Sequence, residues 1–303
     1  MPRTISGILL LDKPHGLTSN GALQRVKRLF SAKKAGHTGS LDPIATGMLP
    51  ICFGEATKFS QFLLESDKSY EVVATLGIRT NTGDTEGEIV ETLPIVDVTT
   101  ARIQDIMKNF VGEIDQIPPM FSAIKVKGQA LYELARRGIE IERQSRRIRI
   151  FSLALTHLDE QSFSFRVHCS KGTYVRTLVE DIGRALGCGA HVKELRRVMV
   201  TPYETMPMVT LPVLEAIAEK NGVMGLDAYL LPVETAVNKF PAVQLSTSAA
   251  FYLRMGQAVR SAFPLDSSFV RLMSEDGRFL GIGEVLPDGR VKPNRLVSSA
   301  QAA

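Results

Sequence analysis

The stretch 36–50, which reads GHTGSLDPIATGMLP, holds the residues best suited to carry chemistry. Its three glycines and two prolines disfavour a regular helix or a central strand, so we predict a shaped loop. Asp42 lies in the middle of this loop, and Pro43 pushes it towards an extended backbone. A carboxylate held in this way among apolar neighbours can act as a nucleophile or a general base. An isolated Asp-Pro is more often a simple turn, so other motifs must decide between a turn and a catalytic loop.

Length and composition predict a globular protein of one large domain or two. The chain has 303 residues, of which 44% are hydrophobic and 22% are charged. No apolar run reaches about eighteen residues, so no membrane span is predicted. The first residues, MPRTISG, lack the layout of a signal peptide, and we therefore expect a cytoplasmic location.

Metal-ligating and cofactor-binding residue types lack the spacing that such sites need. Cys52, Cys169 and Cys188 form no C-x-x-C pair, and the five histidines show no H-x-x-x-H spacing. The pair Gly281-x-Gly283 is followed by neither a third glycine nor a helix signal, unlike a dinucleotide-binding turn. Metal catalysis therefore has little support from the sequence, and these glycines do not indicate a dinucleotide site.

One segment carries a local excess of positive charge. Residues 118–150 contain eight basic and three acidic side chains, which gives +5, whereas the remaining 28 basic and 29 acidic side chains give −1. The basic residues are Lys125, Lys127, Arg136, Arg137, Arg143, Arg146, Arg147 and Arg149. Such a surface on a near-neutral body indicates a polyanionic partner, although a solvated helix face would show the same composition.

Hydrophobic periodicity predicts a mixed α+β architecture. Alternation over 70–76 predicts a strand in which Tyr70 is in phase with the buried positions. Ser19 or Asn20 could cap the helix that follows them. Further strands are predicted around 7–11, 49–53, 148–158 and 163–169, and helices around 20–30, 55–64, 101–110 and 173–186.

The last part of the chain differs in pattern. After the proline-containing stretch 202–241, short apolar runs alternate with turn signals at Gly256, Gly277 and Gly289. This spacing predicts a small β domain over 243–297, with a domain boundary near 239.

Four motifs occur in one order: DKPxGxTS (12–19), GHTGxLDP (36–43), GEATK (54–58) and SKGTYVRT (170–177). In this combination the chain resembles the tRNA pseudouridine synthase B (TruB) family over its whole length. The later GIGEV sequence (281–285) is similar to the small RNA-binding PUA-type domain.

The resemblance implies a pseudouridine synthase domain over residues 1–238 and a PUA-like RNA-binding domain over 239–303. The first would be an α+β fold with a mixed, mostly antiparallel central sheet and a basic, thumb-like insert at about 118–147. The second would be a small β-barrel-like fold. The implied activity converts the T-loop uridine of tRNA, uridine-55, to pseudouridine without a cofactor or metal. The implied partner is the T stem-loop of tRNA, and the protein would act as a monomer without a membrane or an obligatory protein partner.

The resemblance also implies roles for individual residues. Asp42 would be the catalytic aspartate, Arg176 its ion-pair partner, and Tyr70 an aromatic ring stacked on the flipped-out uracil and a late proton acceptor. Attack at C1′, attack at C6 and a glycal route all stay open for Asp42. The other implied positions are Tyr174 and Leu195 in the uracil pocket, His37 against the displaced RNA, Lys13 and Pro14 as supports of the loop, and Arg143, Arg146 and Arg147 as RNA clamps.

Each position also has a plainer structural interpretation. Tyr70 and Leu195 could be ordinary core residues, His37 a structural histidine in a glycine-rich loop, and Arg176 a surface arginine on a helix.

Two other functions stay open beside the enzyme. One is a tRNA-binding folding chaperone whose isomerase activity is secondary. The other is a guide-dependent RNA pseudouridine synthase of the ribonucleoprotein type, for which a longer, lysine-rich tail and partner proteins would be expected. The first is distinguished by Asp42→Asn, and the second by assay of the protein alone.

Overall fold

The computed structural model describes residues 1–126, 128–260 and 267–298. Lys127 of the basic segment, and residues 261–266 and 299–303 of the predicted C-terminal domain, lie outside the described residues. The elements as far as residue 200 are, in chain order, β1 (Gly7–Lys13), α1 (Ser19–Leu29), β2 (Ala35–His37), β3 (Thr46–Phe53), α2 (Ser60–Leu64), β4 (Lys68–Leu76), β5 (Ile78–Thr80), β6 (Ile89–Thr92), α3 (Thr100–Lys108), β7 (Gly112–Gln116), β8 (Lys125–Val126), β9 (Gln129–Ala130), α4 (Leu131–Arg136), β10 (Arg146–Leu158), β11 (Ser162–Cys169), α5 (Val175–Leu186) and β12 (Ala190–Val200). The later elements are β13 (Val209–Thr210), α6 (Leu211–Asn221), β14 (Ala242–Leu245), α7 (Thr247–Arg254), β15 (Val259–Arg260), β16 (Phe269–Ser274), β17 (Phe279–Val285) and β18 (Arg290–Leu296). Short 3-10 helices lie at Gly54–Phe59, Val223–Tyr229 and Val233–Val237.

The central sheet is mixed and mostly antiparallel, as predicted. Within the described residues it has nine strands in the order β13-β1-β3-β12-β4-β11-β10-β7, with β2 added beside β3. The pairs β1 with β13 and β3 with β12 are parallel, and the other pairs are antiparallel. Helices α1, α3 and α5 share one apolar core with the sheet. The alternation predicted for β4 is confirmed, because Tyr70 and every second residue after it are buried.

The prediction that 36–50 contains no central strand is wrong for residues 46–50. Strand β3 begins at Thr46 and includes Pro50, which pairs with Leu10 of β1. On its other side β2 has already ended, so no strand residue opposite Pro50 requires its missing N–H, and its carbonyl accepts the Thr38 amide at 3.1 Å. Gly47 has φ +96°, and a Cβ there would lie 2.2 Å from the Arg197 carbonyl oxygen, so only glycine lets β12 approach.

The start of α1 is tied to the Asp42 loop. The prediction that Ser19 or Asn20 caps this helix is wrong, because Thr18 Oγ1 accepts the Gly21 amide at 3.0 Å. Ser19 instead turns inward, where its hydroxyl donates to the Leu41 carbonyl at 3.0 Å and accepts the Leu41 amide at 2.7 Å. These two bonds fix the backbone of the residue that precedes Asp42.

Strand β12 occupies the middle of the sheet between β3 and β4 and was not predicted. Its sequence, AHVKELRRVMV, carries four charged residues, and its register against β4 shifts twice. These irregularities break the period-2 pattern from which a strand is recognised.

The C-terminal part forms a five-stranded sheet in the order β14-β16-β17-β18-β15 among the described residues. The turn prediction is confirmed at Gly256, Gly277 and Gly289, which have φ of +86°, +80° and +78°. The helix α7, which was not predicted, packs beside this sheet. The C-terminal part also shares an aromatic contact with the preceding part of the chain, where the ring centroids of Phe59 and Phe279 lie 5.4 Å apart. In the described part of the chain, no helix has the length and apolar character needed to cross a membrane.

Candidate active site

The Asp42 loop connects β2 to β3 and is held from behind by Lys13. The Lys13 ammonium is fully buried and donates to the carbonyls of Pro14 (2.9 Å), Leu17 (2.6 Å) and Pro43 (3.3 Å). Burial lowers the pKa of Lys13 to about 8, which the nearby Asp42 carboxylate opposes. Lys13 and Pro14 therefore lie where a support of the loop was expected.

Arg176 meets Asp42 at the opening of α5. Its Nε lies 3.0 Å from Oδ2 of Asp42, while Nη1 donates to the Thr82 carbonyl at 2.8 Å and Nη2 to the Phe121 carbonyl at 2.7 Å. The Arg176 side chain is only 6% exposed, whereas 40% of the Asp42 side chain stays open. The surface-helix interpretation of Arg176 is thereby excluded, since the guanidinium is buried and directs the carboxylate.

A second carboxylate, Asp84, belongs to the same cluster and was missed in the sequence. It is buried, with Oδ2 3.6 Å from Nη1 of Arg176, and its Oδ1 accepts the Thr82 hydroxyl at 2.6 Å. It lies in the turn-rich loop 81–88, where an aspartate has no distinguishing signal. Asp84 therefore gives Arg176 a second carboxylate partner beside Asp42.

The protonation of Asp42 is set by opposing effects. Burial raises its pKa above the ordinary value, the Arg176 guanidinium lowers it, Asp84 raises it and Lys13 lowers it. The net direction is upward, although the carboxylate remains open on one side to the cleft. As the pH falls, such a group becomes protonated at a higher pH than an ordinary aspartate does.

A cleft of about 330 Å³ brings most of the expected site residues together. Among its lining residues are Asp42, Tyr70, Tyr174, Arg176 and Leu195. Tyr70 is 8% exposed on β4, and Leu195 is 7% exposed on β12, which is antiparallel to β4. Burial raises the pKa of the Tyr70 phenol, and the charge of Arg197 opposes this.

Two buried cations in this cleft, Lys68 and Arg197, were also missed. Arg197 is 1% exposed and donates to the carbonyls of Met48 (2.7 Å) and Gly39 (3.2 Å). Lys68 donates to the Leu64 carbonyl at 3.0 Å, and burial lowers the pKa of this lysine to about 8. Each of the two residues directly follows another charged residue in the sequence, a pattern that indicates a solvated stretch.

His37 lies on the other side of Asp42. A second cleft of about 380 Å³ is lined by residues that include His37, Asp42, Tyr132, Arg136 and Arg176. The His37 Nδ1 atom is buried and has no hydrogen-bond partner within the described residues. Burial lowers the pKa of His37, and Arg197 adds to this effect. A neutral ring beside an open cleft is available for contact with a bound molecule.

The three expected clamp residues do not line these clefts. Arg143 donates to the Pro118 carbonyl at 3.2 Å and pairs with Glu140 at 3.1 Å. Arg146 and Arg147 are the first residues of β10, where they pair with the edge strand β7, and Arg147 also forms an ion pair with Glu113 at 3.1 Å. All three lie within the basic segment, and contact between this segment and RNA stays a prediction.

Metal ligation finds no geometric support among the described residues. No group of three histidine, cysteine, aspartate or glutamate side chains in that part of the chain converges on one point. The arrangement at Asp42 instead offers a carboxylate that is open to the cleft, an arginine that orients it, and aromatic and apolar walls.

Comparison with known proteins gives a consistent set of matches. Three family models match successive parts of the chain: TruB family pseudouridylate synthase (N terminal domain) at residues 27–175, tRNA pseudouridylate synthase B C-terminal domain at 176–238, and pseudouridine synthase II TruB, C-terminal, at 241–297. A tRNA pseudouridine synthase B from Coxiella burnetii (strain RSA 331 / Henzerling II) is 57% identical over 295 residues, which are 97% of this chain and 96% of the relative. One from Ectopseudomonas mendocina (strain ymp) is 53% identical with the same coverage.

Solved structures match at lower identity. The crystal structure of a Cbf5-Nop10-Gar1 complex aligns with a TM-score of 0.75 and 28% identity, covering 96% of this chain and 84% of that chain. The archaeal box H/ACA sRNP Nop10-Cbf5 complex aligns with a TM-score of 0.73 and 25% identity, covering 98% and 87%.

Proposed function

Because this chain belongs to the TruB family and is a tRNA pseudouridine synthase, we propose that it modifies the T-loop uridine, U55, with Asp42 as its catalytic group. The observation that supports this most is the 3.0 Å pair between Asp42 Oδ2 and Arg176 Nε, at the wall of a cleft that also contains Tyr70 and Tyr174. The cleft is of a size that suits a single base, and the carboxylate is open on that side.

The chemistry needs one group that can attack, hold and leave. The bond from C1′ to N1 breaks, the uracil turns, a bond from C1′ to C5 forms, and the proton of C5 moves to N1 through a base. A carboxylate can begin this sequence by attack at C1′ or C6, or by deprotonating C2′. Arg176 fixes the orientation of the Asp42 carboxylate. It also opposes the upward shift of the Asp42 pKa, so more of the reactive anion is present at neutral pH.

The target base must leave the T loop to reach Asp42. An extruded uracil loses its stacking, and an aromatic face within the cleft offsets part of that loss. Tyr70 would stack on the base and accept the C5 proton, and Tyr174 and Leu195 would complete the walls. His37, in the neighbouring cleft, would contact the RNA beside the displaced nucleotide.

Binding of the remaining tRNA would use the basic segment and the C-terminal part. Arg143, Arg146 and Arg147 would contact phosphates of the T arm, and the C-terminal part would contact a second region of the same tRNA. We expect the monomer to act without an obligatory protein partner and in the cytoplasm.

The test is Asp42→Asn in the full chain, assayed by pseudouridine mapping of a tRNA transcript incubated with purified protein alone. We expect loss of product at U55, an unchanged tRNA Kd within about threefold, and an unchanged melting temperature. Asp227→Asn is the matched control, since Asp227 also pairs with an arginine, Arg3 at 2.5 Å, and its side chain is 37% exposed.

The outcomes also separate the rival functions. Loss of product with retained binding supports catalysis by Asp42, whereas a product yield near that of the wild type rejects it. Product formed by the protein alone excludes a requirement for a guide RNA. No product from the wild-type protein alone, with product restored by a guide and partner proteins, would favour the ribonucleoprotein type.

A further inference from the structure

Gln116 stands at the base of the basic segment and contacts the site residues from outside the clefts. It is the last residue of β7, at the edge of the sheet, where it pairs with Arg146 of β10. The residues that come after it begin the segment 118–147, yet its own side chain is only 3% exposed. A neutral amide this deeply buried must have both of its polar atoms satisfied.

Both atoms of the amide bind one residue. Gln116 Nε2 donates to the Tyr174 carbonyl at 3.0 Å, and Oε1 accepts the Tyr174 amide at 2.8 Å. Tyr174 directly precedes α5, which lacks a side-chain cap of its own. The two bonds therefore hold the entry to this helix in its extended conformation from a distant strand.

Tyr174 controls the position of the first turn of α5. Its ring lines the cleft, and Arg176 lies two residues later on that turn. The guanidinium of Arg176 contacts Asp42 and, through Nη2, the Phe121 carbonyl of the basic segment at 2.7 Å. This region of the chain is thus connected to the Asp42–Arg176 pair in two ways. Gln116, just before the segment, binds the Tyr174 backbone, and the Phe121 carbonyl within the segment accepts from Arg176 itself.

We propose that Gln116 is a positioning residue that sets the Arg176–Asp42 geometry through its two bonds to the Tyr174 backbone. This rests on the proposed role of Asp42. Gln116 would then affect the chemical step rather than tRNA binding, because a shift of about 1 Å in an orienting group can lower the rate by as much as about 100-fold. A purely structural amide would instead affect the folded fraction.

The experiment compares Gln116→Met with Gln116→Glu in the full chain. Methionine has a similar shape and makes neither bond, so we expect the single-turnover rate at saturating tRNA to fall at least about tenfold, with tRNA Kd changed less than about threefold. A protonated glutamic acid makes both bonds again, with its O–H donating to the Tyr174 carbonyl and its carbonyl oxygen accepting the Tyr174 amide.

The pH dependence makes the test specific. Burial raises the pKa of a glutamate, so Gln116→Glu should be protonated and near the wild-type rate at about pH 6, and should lose rate relative to the wild type as the pH rises and the carboxylate forms. Dividing by the wild-type rate at each pH removes the titration of Asp42 itself. Gln161→Glu, which adds a carboxyl group at an exposed position in the turn between β10 and β11, outside the basic segment, is the control for added charge.

The results separate the possibilities. A slow Gln116→Met together with a faster Gln116→Glu at the acidic end supports the proposal. A Gln116→Met rate equal to that of the wild type, or a Gln116→Glu no faster than Gln116→Met at the acidic end, overturns it. Asp42→Asn is measured in parallel: if that variant keeps its turnover, the role of Asp42 fails, whatever the behaviour of Gln116.

Discussion

The guanidinium of Arg176 lies 3.0 Å from Oδ2 of Asp42 and has its other N–H groups engaged by the carbonyls of Thr82 and Phe121. One buried side chain thus joins the loop of the carboxylate, the loop before β6 and the basic segment. The ion pair is fixed on its arginine side and open on its carboxylate side, which is the arrangement that the proposed role of Asp42 requires.

Replacement of Arg176 by lysine should slow the reaction and move its pH dependence. Lysine cannot make the three directed contacts, so we expect a loss of about 100- to 1,000-fold in turnover. Arg176 lowers the pKa of Asp42, so weakening this pair raises that pKa, and the acid limb of the rate profile should move to higher pH. The measurement is the single-turnover rate against pH.

The matched control is Arg102→Lys. Arg102 likewise makes three directed contacts, in its case all with backbone carbonyls, those of Val96 (3.1 Å), Asp97 (3.2 Å) and Leu186 (3.0 Å), but it lies away from the clefts. It should show the wild-type rate profile. An Arg176→Lys profile with an unmoved acid limb would contradict the role assigned to the pair.

The basic segment should contribute to tRNA affinity through salt-dependent binding. Removal of Arg143, Arg146 and Arg147 together should weaken binding and reduce the slope of log K against log salt by roughly 0.7–0.9 for each phosphate that is no longer neutralised. Arg147 is already paired with Glu113 and Arg143 with Glu140, both at 3.1 Å, so Arg146 should contribute the largest share of the three. The measurement is tRNA Kd across a salt series.

A charge-matched triple variant serves as the control. Lys108, Arg184 and Lys220 are basic residues in the last turns of α3, α5 and α6. Their joint replacement by alanine removes the same charge and should leave the slope nearer to the wild-type value. Equal slopes for the two triple variants would show that the segment acts only through net charge.

Lys68 should make stability rise with pH in the alkaline range. Its pKa is about 8 in the folded protein against 10.5 for an unperturbed lysine. Between these values the unfolded chain binds the proton and the folded chain does not, so the free energy of unfolding increases with pH, by on the order of 3 kcal/mol over the window. Below about pH 8 both states are protonated, and this lysine gives no slope.

Urea unfolding at several pH values, for the wild type and Lys68→Met, measures this directly. The difference in unfolding free energy between the two proteins should stay constant below about pH 8 and change between about pH 8 and 10.5. Subtraction removes the contributions of other titrating groups such as Lys13. A difference that stays constant over the whole range would show that the ammonium is not desolvated as described.

A chain ending at Lys239 should bind tRNA more weakly but still form pseudouridine at saturating tRNA, because Asp42, Tyr70 and Arg176 all precede that point. It should also be less stable, since Phe59 no longer packs on Phe279 and Phe62 no longer packs on Phe240. Exposure of these rings should lower the melting temperature by roughly 10 °C.

Phe62→Ala in the full chain separates the two effects of that truncation. It weakens the same aromatic packing and keeps the whole C-terminal part, so its melting temperature should fall while its tRNA Kd stays near that of the wild type. A shortened chain that is folded by circular dichroism yet forms no product at any tRNA concentration would place the C-terminal part in the active site.

Local patterns in the sequence were sufficient for some features of the site. The glycines and Pro43 mark the loop around Asp42, and the strict alternation of β4 places Tyr70 on its buried face, because these depend on neighbours in the chain. The proposed role of Asp42 needed more than this, since an Asp-Pro pair alone most often indicates a turn.

Other features depend on partners distant in the chain, and local patterns could not predict them. Arg197 is buried because carbonyls of Met48 and Gly39 surround it, although its run Glu194-Leu195-Arg196-Arg197 resembles a solvated stretch. The central position of Pro50 is tolerated only because β2 ends beside it. In each case the deciding interaction comes from a different strand or loop.

The hydrogen bond between Arg176 and the carbonyl of Phe121 has a consequence for how the basic segment can vary. Every residue type carries a main-chain oxygen, so this anchor at position 121 does not require phenylalanine. It does require that the oxygen arrive at the right place after Gln116, which depends on the number of residues between them. The hydrogen bond from Arg176 should therefore survive a substitution at 121 better than the insertion or deletion of a single residue between 116 and 121. The connection is specified by its length rather than by its side chains.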